Sequence, residues 1–184
     1  MLEHMNAQRI YNPVQDDYVT FLETAESSRG ARTLIEVELA PGGGVAPHFH
    51  TRFTETFTAV TGDVSILLAD DVVVLKPGES VLAEIGVMHR FFNPSGERVT
   101  FRVNIQPGDL DFERALRVGY GLAREGKTTA KSIPKNPLEL AVMAEWSNTE
   151  MPSAAAVLIR PVFRQLLALA KRRGVDKRLL ETYC

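Results

Sequence analysis

Four side chains of the types that bind transition metals lie in the first half of the chain. His48 and His50 are two residues apart, so an extended strand directs both imidazoles to the same face. Glu55 follows five residues later, and His89 lies beyond two further strand-like runs. The chain has one other histidine, His4 near the N-terminus. Histidine, the commonest metal ligand, is therefore concentrated in this pattern.

Three imidazoles and one carboxylate form a ligand set suited to Fe, Mn, Co, Ni, Cu or Zn. With neutral histidines and an ionised Glu55, a divalent ion leaves a local charge of about +1, which attracts an anionic or chelating ligand. The alternative is that these are polar side chains satisfied by hydrogen bonds alone. Because burying such groups without a partner is costly, we expect one divalent transition metal at this site.

Alternating apolar and polar residues predict a series of short β-strands, two of which carry Glu55 and His89. The run at residues 54–60 places Glu55 on the same face as Phe57, which directs the carboxylate toward an interior. Many short strands at close spacing, separated by glycine, proline and aspartate turns, are typical of an antiparallel sandwich or barrel. The other predicted strands are residues 32–39, 64–68, 72–75, 80–83, 89–93 and 97–106.

The hydrophobic period changes to that of helices after residue 107. A first helix is predicted from an N-cap at Asp109 to Gly126, and a second from Pro137 to residue 146. A third is predicted over residues 153–173, with Pro161 breaking or starting it, and a short terminal helix over residues 175–182. We therefore expect three regions: an N-terminal arm (1–30) with one or two short strands, a β-barrel (31–107) and a C-terminal helical extension (108–184) packed on the barrel or on a dimer partner.

Two motifs around the metal-ligand candidates resemble those of the cupin superfamily, in its small single-domain, conserved-barrel (cupin 2 type) bacterial members. The first motif is matched at every position and the second at all but one, where Glu84 replaces the usual proline. The resemblance implies a mainly β fold, a double-stranded β-helix (jelly-roll) barrel, here followed by the α-helical extension. It also implies that His48, His50, Glu55 and His89 hold the metal. The matching residues are Gly42, His48, His50, Glu55 and Gly62, then Gly78, Gly86, His89 and Asn93.

Other residues are candidates for a substrate pocket or for catalysis. Phe57, Phe91 and Phe92 are expected in the core or the pocket wall, and Phe101 is a further candidate for the pocket. Arg102 and Asn104 line the cavity if their face of the last strand is the inner one, and alternation alone does not choose that face. Glu84 is either an acid or base at the pocket mouth or an exposed strand-end residue, and the second interpretation is favoured.

Composition and charge narrow the classes of partner. The net charge is −2, with −6 in residues 1–106 and +4 in residues 107–184, and the basic helices lack a helix-turn-helix pattern, so we expect no nucleic-acid partner. The most apolar run, residues 154–170, is interrupted by Arg160, Pro161 and Arg164, so no membrane span is expected. The single cysteine, Cys184, and the absence of a signal-peptide pattern favour the cytoplasm.

These observations support two classes of function. The first is a metal-dependent enzyme, dioxygenase-like or isomerase/lyase-like, acting on a small organic molecule inside the barrel. The second is a non-catalytic binding or sensing protein with a structural metal, because no residue beyond the ligands forms an evident acid–base pair. A homodimer is expected in either case, since an exposed sheet edge otherwise invites uncontrolled association.

Overall fold

The computed structural model describes residues 8–151 and 154–184, without the side chains of residues 154–159, so His4 lies outside the described residues. Within that part of the chain, strands precede helices, and every element predicted from residue 32 onward is present with its ends within two residues. The strands are β1 (Arg9–Asn12), β2 (Asp17–Glu23), β3 (Thr33–Leu39), β4 (Thr54–Thr61), β5 (Val64–Leu68), β6 (Asp71–Leu75), β7 (Ser80–Ala83), β8 (His89–Phe92) and β9 (Val99–Gln106). The helices are α1 (Leu110–Arg124), α2 (Pro137–Ser147), α3 (Ala154–Arg172) and α4 (Val175–Tyr183).

The strands form two antiparallel sheets with a shared apolar core. The larger sheet has the order β1-β2-β3-β9-β4-β7, and the smaller sheet has the order β6-β5-β8. Ile35, Val37 and Phe101 of the larger sheet and Val64 and Ile66 of the smaller sheet belong to one buried cluster. Burying each such side chain contributes about 1.5–3 kcal/mol. The fold is therefore the expected mainly β, jelly-roll arrangement followed by helices.

The last predicted strand, β9, lies between β3 and β4 in the larger sheet. Its apolar residues face the core, and its polar residues face outward. Arg102 is exposed, and its Nε lies 3.0 Å from an oxygen of Glu36 on β3. The Asn104 side chain donates to Gln106 Oε1 at 3.1 Å. The placement of Arg102 and Asn104 in the pocket is therefore wrong, because burying the apolar face is favoured and Arg102 finds its ionic partner at the surface. The inward residues, all 2% exposed or less, are Val99, Phe101, Val103 and Ile105.

The N-terminal strands extend the larger sheet. β2 pairs antiparallel with β3 from Asp17 opposite Leu39, and β1 pairs with β2 in turn. Val19 and Phe21, on the inward face of β2, are 2% and 4% exposed and join the barrel core. The arm, expected to contain one or two short strands, has two, and they cover the edge that β3 would otherwise expose.

The first helix of the extension packs on the barrel. The Asp109 side chain accepts a hydrogen bond from the Phe112 N–H at 2.8 Å, which confirms the predicted N-cap. Phe112, Leu116 and Tyr120 pack against the barrel core. These positions recur at a spacing of four residues, which places them on one face of the helix.

A buried carboxylate fixes α1 to the loop between β2 and β3. Glu113 is 1% exposed, and its Oε1 accepts hydrogen bonds from the Ala25 N–H at 2.5 Å and from the Thr33 hydroxyl at 2.6 Å. Hydrogen bonds to a charged acceptor are about twice as strong as neutral ones. Glu113 therefore joins α1 to the sheet at a defined register.

The remaining helices form a second apolar cluster with the outer side of α1. Gly121 of α1 lies against the Tyr183 ring of α4, where any Cβ would collide with the ring. α3 continues through Pro161, so the expectation that this proline breaks or starts the helix is wrong. Pro161 and its neighbours Arg160 and Val162 are exposed, and a proline inside a helix removes one backbone hydrogen bond. Within the described residues, none of the helices is long and apolar enough to cross a membrane. The buried members of the cluster are Ala115, Val118, Leu122, Val142, Trp146, Ala170, Val175 and Leu179.

A second buried carboxylate makes stability depend on pH. Asp17 is 2% exposed and accepts a hydrogen bond from the Tyr120 hydroxyl at 2.5 Å. Burial raises the pKa of Asp17 from 3.8 to about 6, although the Tyr120 hydrogen bond opposes the shift. Protonation therefore favours the folded state, and this contribution is complete below pH 4 and lost as the pH rises through 6. A shift of about two pKa units corresponds to about 3 kcal/mol.

We predict that Asp17→Asn lacks this pH dependence. Urea unfolding of both proteins between pH 4 and pH 8 measures the difference. As the pH rises, the free energy of unfolding of the unsubstituted protein should fall by up to about 3 kcal/mol relative to that of the variant. Parallel pH curves for the two proteins would contradict an elevated pKa at Asp17.

Candidate metal centre

The four candidate ligands come from three separate segments that the fold brings together. His48 and His50 lie in the loop between β3 and β4, Glu55 lies on β4, and His89 begins β8. The backbones of His48 and His89 form an antiparallel bridge, with N–H to carbonyl distances of 3.0 Å and 2.8 Å. This bridge fixes the ligand loop against the smaller sheet, whereas β4 carries Glu55 on the inward face of the larger one.

The ligand atoms of the four residues all lie within 4.8 Å of one another. His89 Nε2 is 2.8 Å from Glu55 Oε2, and His50 Nε2 is 3.8 Å from the same oxygen. His50 and His89 are each 2% exposed and Glu55 is 6% exposed, whereas His48 is half-buried. The cluster is thus enclosed on most sides, and His48 is the ligand nearest to solvent.

Backbone carbonyl groups orient all three imidazoles. The Nδ1 atoms of His48, His50 and His89 lie 2.8, 3.0 and 2.9 Å from the carbonyl oxygens of Ala46, Asn148 and Val87, respectively. A carbonyl oxygen can only accept, so each Nδ1 carries the proton. Nε2 is therefore the ring nitrogen that each histidine offers to the cluster, as a metal ligand requires.

Two features show that the residues fit a bound cation. His50 Nε2 is buried and has no hydrogen-bond partner among the described residues, which leaves a costly unpaired acceptor pointing toward Glu55. His89 has acceptors at both ring nitrogens, Val87 O and Glu55 Oε2, so it is a charged imidazolium unless a metal replaces the Nε2 proton. One divalent ion would give the first atom a partner and release the proton from the second.

The pKa shifts of the cluster follow from burial and from Glu55. Burial lowers the pKa of His48 to about 4 and also lowers that of His50. Burial alone would raise the pKa of Glu55, but the hydrogen bond from His89 and the nearby imidazoles lower it. Burial likewise opposes charge on His89, but Glu55 outweighs it and raises that pKa. At neutral pH the carboxylate is ionised and two imidazoles are neutral, as metal binding requires.

Aromatic rings surround the cluster. The Phe57 ring lies 5.9 Å from the His89 ring, and Phe91 and Phe101 continue the apolar wall behind it. Phe53 and Phe112 flank His50, with ring centroids 4.5 Å and 5.7 Å away.

Sequence reasoning identified the first three of these phenylalanines as core or pocket wall but missed the two beside His50. Helical spacing places Phe112 on a packing face, but no local pattern indicates that this face meets a histidine loop.

Other candidates lie away from the cluster. Glu84 is exposed in the turn after β7, where its carbonyl oxygen accepts from the Val87 N–H at 3.0 Å. Arg102 and Asn104 are on the outer face of β9. A cavity of about 380 Å³ is lined by residues 42–46 on one side and by residues 90 and 92–94 on the other. None of the four ligands lines it. It is therefore separate from the candidate centre.

A known protein family matches the β-region from β3 to β9. The sequence profile of the family described as "Cupin domain" matches residues 35–106, which span all four candidate ligands. This chain contains a cupin domain. β1, β2 and the helical extension lie outside the matched residues.

One solved structure agrees with this cupin fold, and two others are similar to parts of the chain. An RmlC-like cupin from Shewanella frigidimarina is 16% identical, with a TM-score of 0.51 over 61% of this chain and 94% of that chain. A predicted oxalate decarboxylase from Thermotoga maritima is 22% identical, with a TM-score of 0.48 over 54% and 90%. A polyketide cyclase from Streptomyces resistomycificus is 21% identical, with a TM-score of 0.48 over 57% and 77%. At these identities the likeness concerns the fold alone. No functionally curated protein matches the sequence.

We predict that removing one ligand abolishes tight metal binding. His50→Ala and His89→Ala should each weaken zinc or cobalt(II) binding by more than the roughly 10–100-fold typical of losing an outer hydrogen-bond partner. Competition with a chromophoric chelator measures the affinity. Arg102→Ala, on the outer face of β9, is the matched control and should bind like the unsubstituted protein. Equal affinities for all four proteins would place the metal elsewhere.

Proposed function

We propose that the cupin domain binds one divalent transition metal through His48, His50, Glu55 and His89, and that the protein is a metal-dependent enzyme acting on a small organic molecule in the barrel. The observation that carries this proposal is the buried, unpartnered Nε2 of His50, which faces the Glu55 carboxylate. A structural core would satisfy that atom with a hydrogen bond, since an orphaned buried acceptor costs about 1–3 kcal/mol.

The chain supplies the binding and orientation for such chemistry. A bound metal contributes Lewis acidity or, if it is redox-active, electron transfer. Phe57, Phe91 and Phe101 exclude water from the inner side of the cluster, which strengthens electrostatic interactions there. The net charge of about +1 on a divalent ion with Glu55 favours an anionic or chelating substrate. The half-buried His48 marks the side from which such a substrate reaches the centre.

Within the part of the chain that the structure describes, no buried carboxylate outside the cluster is free to act as an acid or base, which favours dioxygenase-like chemistry over an isomerase or lyase. Among the described residues, the buried carboxylates outside the cluster are Asp17 and Glu113, and both are engaged where α1 meets the sheet. Proton transfer in an isomerase or lyase needs a positioned group within hydrogen-bond reach of the substrate. Glu84, the one earlier candidate, is exposed.

The same observation also supports a second candidate function, a non-catalytic small-molecule binding or sensing protein with a structural metal. In that case the metal anchors a ligand, and no residue need move a proton.

Under either function we propose that the protein acts as a cytoplasmic homodimer. The dimer is supported by β6, which lies at the edge of the smaller sheet and carries two exposed apolar side chains, Val72 (55% exposed) and Val74 (52% exposed).

We predict metal-dependent turnover by tag-free protein. Elemental analysis should give one transition metal per chain, and anaerobic metal replacement followed by oxygen-uptake measurements with diols, keto acids and phenols should identify both metal and substrate class. His89→Ala should show no turnover, and Arg102→Ala should retain it. Oxygen uptake with at least one substrate supports the dioxygenase. Product without oxygen uptake supports the isomerase or lyase, and a ligand-induced rise in melting temperature without product supports the sensor.

A further inference from the structure

The chain segment that follows α2 returns to the metal-ligand loop. Phe49, between His48 and His50, forms an antiparallel bridge with Glu150, and both N–H to carbonyl distances are 3.0 Å. The ligand loop is therefore held on one side by the bridge to His89 and on the other by a segment of the helical extension. This second support lies outside residues 35–106, the part that matches the cupin profile.

Asn148 makes the closest set of contacts between the two segments. Its carbonyl oxygen accepts from His50 Nδ1 at 3.0 Å. Its side-chain Oδ1 accepts from the backbone N–H groups of Thr51 and Arg52 at 2.7 Å and 2.9 Å, and its Nδ2 donates to the Thr51 hydroxyl at 2.8 Å. One residue thus fixes both the ring of His50 and the backbone that follows it.

The conformation of Asn148 suits this role. It is the C-cap of α2 in the left-handed region, with φ 51° and ψ 29°. Asparagine, aspartate and glycine adopt that region more readily than other residues. In this conformation the carbonyl and the side chain both face the ligand loop, so a substitution can remove the side-chain contacts while keeping the carbonyl in place.

Arg52 extends the connection to two helices. Its guanidinium donates to the Asp109 carboxylate, with an Nε to Oδ2 distance of 2.7 Å, and to the carbonyl oxygens of Trp146 and Glu145 at 2.7 Å and 3.2 Å. A cation at the last carbonyl groups of a helix satisfies them and interacts favourably with the helix dipole. The ligand loop is therefore tied to the end of α2 and the beginning of α1 together.

His50 differs from the other two histidines in the origin of its orienting group. His48 and His89 each use a carbonyl oxygen two residues earlier in the chain, on Ala46 and Val87. The partner of His50 is 98 residues away. The orienting groups of His48 and His89 thus lie within their own segments, whereas that of His50 comes from the helical extension.

We propose that Asn148 is a positioning residue of the metal centre, which couples metal affinity to the docking of α2 against the ligand loop. This inference rests on the proposed metal site. Because coupling between two sites is reciprocal, bound metal stabilises the docked end of α2 to the same extent that docking strengthens metal binding. The helical extension is then part of the centre.

Three substitutions test the coupling. Asn148→Gly keeps the left-handed conformation and the carbonyl but removes the side-chain contacts to Thr51 and Arg52, so zinc affinity should fall by about 10-fold, as for other outer partners of metal ligands. Asn148→Asp keeps an acceptor for both N–H groups and should restore affinity and the cobalt(II) absorption spectrum. Asn136→Ala removes the N-cap of α2, whose side chain accepts from the Leu138 N–H at 2.9 Å. This control should lower the melting temperature by about 2–4 °C and leave the affinity unchanged.

A second readout measures the reciprocal effect. Zinc should slow hydrogen exchange at the Glu150 N–H, which bonds to Phe49 in the docked segment, and should do so less in Asn148→Gly. The inference is overturned if Asn148→Gly binds zinc with unchanged affinity and spectrum, or if Asn136→Ala weakens binding as much. Failure of the metal site itself looks different, because the unsubstituted protein would then bind zinc no better than His89→Ala.

Discussion

A carboxylate buried beside three imidazoles is the constraint on which the rest of the structure depends. Moving an ionised group out of water costs several kcal/mol. Glu55 is 6% exposed, so its carboxylate needs neighbours that are positively charged or can become so. His89 lies on β8 of the smaller sheet, whereas Glu55 lies on β4 of the larger one. The two sheets must therefore pack in one register for the pair to meet at 2.8 Å. The aromatic core between the sheets, centred on Phe57 and Phe101, holds that register.

The orientation of the imidazoles depends on the backbone rather than on side-chain partners. All three Nδ1 atoms are directed at carbonyl oxygens, so the path of the chain sets the tautomer and the direction of each ring. For His48 and His89 that path is local and is reinforced by their mutual bridge. For His50 it includes the end of α2, which gives the helical extension a direct structural connection to the centre. Glu113 and the Asp17–Tyr120 pair attach α1 to the sheet, but at positions that contact none of the candidate ligands.

Much of the fold follows from local patterns in the sequence. The alternation that defines β4 also places Glu55 among inward apolar residues, and the spacing of His48 and His50 places both rings on one side. The cap at Asp109 and Pro137 at the start of α2 likewise depend only on neighbouring residues. Such features are encoded within a few positions of the residues that carry them, so they can be predicted without the structure.

Features that depend on distant residues were not predictable in this way. Alternation along β9 is symmetric between its two faces, and the inward face is decided by the core and by the pairing of Arg102 with Glu36 on another strand. Pro161 lies inside α3, where the local rule for proline predicts a break or a start. The contact of Asn148 with His50 joins residues 98 positions apart, and no periodicity signals it. The part of the site supplied by the extension therefore has no local signature in the sequence.

Anomalous diffraction from crystals grown with zinc or manganese tests the central claim most directly. The account predicts one strong anomalous peak per chain, about 2.0–2.2 Å from the Nε2 atoms of His48, His50 and His89 and from an oxygen of Glu55. A peak at another position, or a map without a peak at saturating metal in which His50 Nε2 has found a hydrogen-bond partner, would contradict it.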